Sequence, residues 1–202
     1  GVTRVAVSVH GYTPSGPRYS RITGADDGGA TMLRAIDSLR GAGVIVECDV
    51  IVMTETLDDL ASAVEDLAIR GAARIQLWYV SLTDRNAAFP ESLPRMSDAA
   101  PALRAAMAAG AACGAEVVSL HVPRCILRVD ERHVWHPAIG RNIRVVTPDA
   151  VFDLSVSRLS GGVKPPQCAT CAFDGVCPGL RADYVARFGA DEAQPLVVTG
   201  GS

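Results

Sequence analysis

Cys168, Cys171 and Cys177 lie in the run CATCAFDGVC, a Cys-x2-Cys-x5-Cys spacing. A CxxC turn brings two thiolates onto one centre, and soft thiolate ligands select zinc or iron–sulfur centres. Gly175 precedes the third cysteine, and Pro178 and Gly179 follow it, so the backbone can turn sharply there. Both kinds of centre usually take four protein ligands at a structural site. Cys125 follows Pro123 in an irregular stretch and is the expected fourth ligand, with His133 and His136 as competitors that would point to zinc. Cys48 falls within a strand-like run and Cys113 near a helix end. Both read as small buried hydrophobes. In a reducing compartment such a cysteine cluster is expected to bind metal rather than form disulfides.

The rest of the chain must position those thiols. Its 202 residues fit one domain, or one domain with a small appendage, and at 49% hydrophobic residues a sizeable core can form. A formal charge of -3 argues against a broad basic face for nucleic acid. No apolar run approaches the roughly 20 residues that span a bilayer, and no signal-peptide pattern is visible, so a cytoplasmic protein is expected. The chain opens at Gly1 directly into a strand-like run, which leads us to expect part of a longer protein, truncated at its N-terminus.

Residues 2–9 and 44–53 are β-branched runs that suit buried strands, and 74–80 reads as a third. Residues 10–26 read as a loop. A helix over 28–40 carries Met32, Ile36 and Leu39 at helical spacing. A second is expected from Thr56, with Asp59 completing an acidic variant of the capping box. Asp98 is expected to cap an Ala-rich helix over 99–113, with a fourth strand at 115–121. Short crossovers imply parallel strands in right-handed βαβ units, hence an α/β fold forming half of a barrel or of an open sheet. After Pro123 the pattern changes to short strand-like pieces, RCILRV, RHVWH, IRVV and VFDLSV, that read as hairpins. A short helix over 180–188 closes at Gly189. We place a domain boundary near 122, giving segments 1–122 and 123–202.

The stretch 168–196, CATCAFDGVCPGLRADYVARFGADEAQPL, resembles the auxiliary-cluster tail of radical S-adenosylmethionine (SAM) enzymes, the SPASM or twitch domain. Cys168, Cys171, Cys177, Gly179, Tyr184, Phe188, Gly189 and Glu192 carry the likeness, in that order. VTRVAVSVHG is similar to the fourth strand of the radical SAM partial barrel, and VIVECDVIVM and RIQLWYVSL to the fifth and sixth. The cysteine of VPRCIL, Cys125, is similar to the first auxiliary-cluster ligand of such tails. The resemblance implies the C-terminal part of a partial (β/α)6 TIM-like barrel followed by a small cysteine-rich α+β tail. It implies an auxiliary [4Fe-4S] cluster on Cys125, Cys168, Cys171 and Cys177.

In the complete family a first [4Fe-4S] cluster reduces SAM to methionine and a 5′-deoxyadenosyl radical. The radical takes a hydrogen atom from a peptide or small-molecule substrate. The auxiliary cluster then accepts an electron or anchors the substrate. The resemblance further implies an electron donor such as flavodoxin or ferredoxin. It also implies SAM contacts at Ser8, with His10 just beyond. The CxxxCxxC motif that binds the catalytic cluster does not occur in these residues, and would lie upstream of Gly1. As written, the 202 residues cannot perform radical chemistry alone. The competing reading is an α/β binding module stapled by structural zinc. A third is a degenerate partner that binds a substrate for another enzyme.

Weaker features read as structural. Glu47 and Asp49 alternate on one strand face, with Arg4 as an available partner. GADDGG at 24–29 lacks a P-loop lysine. Arg181 and Arg187 read as a solvated face, with stabilisation of a negative cluster as the alternative.

Overall fold

The computed structural model describes residues 1–11, 17–129, 133–135, 144–146, 150–153 and 162–197. The chain divides into two compact units, Gly1–Ser119 and Leu120–Ser202. The first holds β1 (Arg4–Val9), α1 (Pro17–Thr23), α2 (Gly28–Gly41), β2 (Ile45–Val52), α3 (Leu60–Ile69), β3 (Arg74–Tyr79) and α4 (Met96–Ala112), and runs into β4 (Glu116–Leu120). These strands form a four-stranded parallel sheet in the order β1-β2-β3-β4. Val7 is registered against Cys48, and Cys48 against Ile75.

Each helix feeds its strand through the same stop. After α2, Gly43 N–H donates to the Arg40 carbonyl and Val44 N–H to that of Leu39, the pair of bonds of a Schellman motif. Gly71 with Ala72 and Gly114 with Ala115 repeat it after α3 and α4. All three glycines have positive φ. The tight exits keep each crossover short and the strands neighbours.

The sheet has two unlike faces. Val46, Cys48, Val50 and Val52 are buried, whereas Glu47, Asp49 and Ile51, which alternate with them, are only half-buried. Because strand order follows chain order and such crossovers are right-handed, α2, α3 and α4 are placed on one face. Their buried residues Ile36, Val64, Leu67 and Leu103 are those of the core, and α3 packs along α4. The other face carries a polar row. Ser8 is registered on Asp49, and Asp49 on Gln76, whose Nε2 donates to Asp49 Oδ1 at 2.9 Å. Arg4 pairs with Glu47 at the strands' N-terminal ends. A doubly wound sheet would cover both faces with helices; a singly wound one, as in barrels, leaves one face clear of them.

The second unit contains α5 (Arg124–Leu127), β5 (Val134–Trp135), an antiparallel hairpin of β6 (Arg144–Val146) and β7 (Val151–Asp153), and an antiparallel pair of β8 (Gly162–Val163) and β9 (Leu180–Arg181). It ends with α6 (Ala182–Phe188).

Several expectations need correction. Part of the supposed loop 10–26 is helical, as α1, which begins at Pro17, a favoured first helical residue. Thr56 does not open α3. Its hydroxyl accepts the Met53 N–H at 2.9 Å and closes a separate turn over Thr54–Thr56, so the helix starts at Leu60. Asp59 makes no cap bond and pairs with Arg18. Asp98 sits inside the first turn of α4, which starts at Met96. RCIL is the helical turn α5, not a strand. Leu180 and Arg181 belong to β9, which delays the last helix to Ala182. Arg181 is buried against Asp183 rather than solvated. His136 and most of the piece VFDLSV beyond Asp153 lie outside the described residues. No helix among those described is long and apolar enough to cross a membrane.

Candidate metal centre

Two separated segments of the second unit supply the cysteines. Pro123, extended at φ -64 and ψ 149, cannot continue β4 as a ladder strand and starts α5. Ile126 and Leu127 N–H groups bond back to the Pro123 carbonyl at 3.0 and 3.2 Å, and Arg128 at φ 55 ends the turn. Leu127 is fully buried and anchors it, leaving Cys125 half-buried.

The second segment is a chain of nested turns. Cys168 N–H bonds to the Pro165 carbonyl at 2.9 Å, Cys171 N–H to Cys168 at 2.9 Å, Asp174 N–H to Cys171 at 3.0 Å, and Cys177 N–H to Phe173 at 2.8 Å. Each bond reverses the backbone, so three thiols separated along the sequence collect on one side. Gly179 N–H then points at Cys177 Sγ, 3.4 Å away.

Cys125, Cys168, Cys171 and Cys177 line one cavity of about 40 Å³, together with Phe173, Leu180, Pro195 and Leu196. A buried water needs roughly 10–15 Å³ on this measure, so the space is larger than one water requires. All four thiols are free.

The electrostatics confirm that the thiols sense one another. Burial pushes the Cys125 thiol up, the other three cysteines push it further, and a Gln194 backbone hydrogen bond opposes them. Cys168 is raised by burial, then by Cys177, Cys171 and Asp174, with Lys164 opposing. Neighbouring thiolates thus make the Cys125 and Cys168 thiols harder to deprotonate, and nearby positive charge opposes that. Lys164 also lines the cavity, with its Nζ 3.1 Å from Asp174 Oδ1. Arg124, beside Cys125, stacks its guanidinium 4.1 Å above the Phe173 ring centroid.

The donor set can be compared with the two candidate metals. Tetrahedral zinc at 2.3 Å from each sulfur draws four thiolates to about 3.8 Å from one another. Among the described residues no group of three or more His, Cys, Asp or Glu side chains is gathered closely enough to hold one metal ion. An iron–sulfur cluster instead gives each thiolate its own iron and spreads the sulfurs around a larger body. Four cysteine sulfurs lining one cavity are a donor set that either group accepts.

The other predicted residues fall elsewhere. His133 is half-buried and does not line the cavity. Cys48 is buried in β2, with its thiol pushed up to about 12 by burial and then by Asp49. Cys113 is exposed at the end of α4, which corrects its reading as a buried thiol. Ser8 is exposed near the C-terminal end of β1, and His10 follows that strand half-buried, its imidazole pKa lowered by desolvation. Both belong to the first unit, whereas the cavity belongs to the second.

In the sequence the segment 192–196 enters only as the end of the resemblance, through Glu192, with no place at the site. It forms one wall of the cavity through Ala193, Gln194, Pro195 and Leu196. It has no periodic pattern, and two of its ties run through the Ala193 and Leu196 carbonyls, so little in the sequence signals its place in the wall. Compared with protein-family models, curated proteins and solved structures, the chain matches none of them.

Proposed function

We propose that this chain is the C-terminal part of a radical SAM enzyme carrying an auxiliary [4Fe-4S] cluster. β1, β2 and β3 would be the fourth to sixth strands of its partial barrel, and the second unit its SPASM- or twitch-like tail. One observation carries the reading: Cys125 and the 168–177 run, distant in sequence, line a single cavity. The sequential parallel sheet supports it, because Asp49 of β2, on the face opposite the buried valines, is registered between Ser8 and Gln76, a polar row such as the inner wall of a barrel would carry.

Cys125, Cys168, Cys171 and Cys177 would hold the cluster, which when bound supplies one-electron transfer. The Gly179 amide, aimed at Cys177 Sγ, lowers the cost of negative charge on that sulfur. Lys164 and Arg124 add positive charge at the cavity wall. With four cysteines engaged, no iron is left open, which favours electron transfer over direct substrate ligation. Ser8 and His10 are assigned to the SAM side of the first unit. A peptide or small-molecule substrate, a second cluster and a flavodoxin- or ferredoxin-type donor belong to the complete enzyme.

Anaerobic reconstitution with iron and sulfide tests the reading. The expected product is brown, with a broad visible absorbance that dithionite bleaches and four irons and four sulfides per chain. A colourless protein with one stoichiometric zinc would overturn it in favour of a zinc-stapled module.

A further inference from the structure

The segment 192–196 is tied at four places. Its Leu196 carbonyl accepts the Ala172 N–H at 2.9 Å, and its Ala193 carbonyl accepts Gln167 Nε2 at 3.2 Å, so it is fastened to the turns around Cys168 and Cys171. Gln194 lines the same cavity as Cys125, and its Oε1 accepts from Arg128, which closes the Cys125 turn. At its start, Glu192 accepts the hydroxyl of Tyr184. Tyr184 is fully buried on α6, and its ring packs against Phe188 with centroids 5.0 Å apart. The segment therefore bridges the two sources of cysteine, and its first residue is pinned to a rigid core group.

We infer that residues 192–196 are a strap that holds Cys125 in register with Cys168 and Cys171, and that the Tyr184–Glu192 contact is its clasp. Tyr184 and Glu192 are positioning residues: neither lines the cavity, and both act through Gln194. The Arg128–Gln194 link matters because α5 is a single turn, and Arg128, with its left-handed backbone, leaves it at once. A short turn has few bonds of its own to fix a side chain, so an outside brace decides where the thiol sits. Arg128 reinforces the brace from the same turn by donating to Gln194 Oε1 at 3.3 Å. The inference rests on the metal-centre reading for its purpose, but the brace itself can be tested without metal.

The test is the rate of Cys125 alkylation by iodoacetamide in the metal-free full chain, followed by peptide mass spectrometry. Tyr184→Phe removes the hydroxyl and keeps the buried ring. It should speed Cys125 alkylation about fivefold, the factor an opening equilibrium gains when a typical net hydrogen bond is lost. Glu192→Ala should match it, and Glu192→Gln, which keeps an acceptor for the hydroxyl, should return the rate close to wild type. The increase should persist at low urea with little dependence on urea, the mark of local rather than global opening. An unchanged Cys125 rate in both Tyr184→Phe and Glu192→Ala would overturn the strap. So would an increase that climbs with urea as steeply as the unfolding transition. Iron uptake by the wild-type chain is scored separately: a strap that passes on a chain that binds no iron would leave the brace standing and sink the cluster.

Discussion

The amide of Gly179 lies 3.4 Å from the sulfur of Cys177, two residues back. The approach depends on backbone that only glycine accepts easily: Gly179 sits at φ 86, and a Cβ there would stand 2.5 Å from the Val163 carbonyl oxygen. That carbonyl belongs to β8, paired with β9 next door. Gly179→Ala should therefore cost the left-handed penalty of about 1–2 kcal/mol and part the β8–β9 pair as well. Urea unfolding of the second unit should report the loss, and iron uptake should fall with it.

Replacing the thiols one at a time separates ligands from core cysteines. Cys125→Ala should lower the iron bound per chain and destabilise the second unit. Cys48→Ala, in the buried core of β2, should leave iron content unchanged and reduce only the stability of the first unit. Iron analysis and chemical denaturation on both variants decide it; equal iron losses would show the ligand assignment to be wrong.

Gly110 of α4 offers a case where two effects compete. Alanine there would gain about 1 kcal/mol of helix propensity. Its Cβ, however, would overlap Val117 Cγ2 and come within 3.0 Å of Val64 Cγ1. Valine is stiff at χ1, and overpacking typically costs about 1–3 kcal/mol. The packing term should win, so Gly110→Ala is expected to lower the urea midpoint of the first unit.

Much of this fold was legible because its segments obey one rule at a time. β1 and β2 are β-branched runs, and α2 and α4 carry apolar residues at helical spacing between glycine stops. The misreadings occurred where a local bond redirected the chain. Thr56 spent its hydroxyl on Met53, so the apparent cap belonged to a turn; Pro123 converted RCIL from a strand-like run to a helical one. At the candidate site the three clustered cysteines announce themselves by spacing. Cys125 becomes their neighbour only through tertiary structure, and the wall at 192–196 is fastened partly through the Ala193 and Leu196 carbonyls, a kind of group every residue possesses.

The His10 imidazole carries a pH signature. Its folded pKa is lowered from 6.5 by burial, so the unfolded chain binds the proton more readily. Stability from this group is complete above about pH 6.5 and is lost as pH falls through the folded pKa. His10→Gln should flatten the fall in the urea midpoint between neutral and mildly acid pH. A slope identical to wild type would mean that the imidazole has the same affinity for protons in both states.

The strap has a consequence for the chain's biosynthesis. Synthesis runs from the N-terminus, so Cys125 emerges long before Cys168, and the wall at 192–196 emerges after every ligand. A ribosome that has just added Pro178 has made all four cysteines yet has not made the residues that fix the first of them. Under the proposed function, assembly of the centre would be deferred until the strap is made, and a nascent chain would offer loose thiols rather than a half-built site.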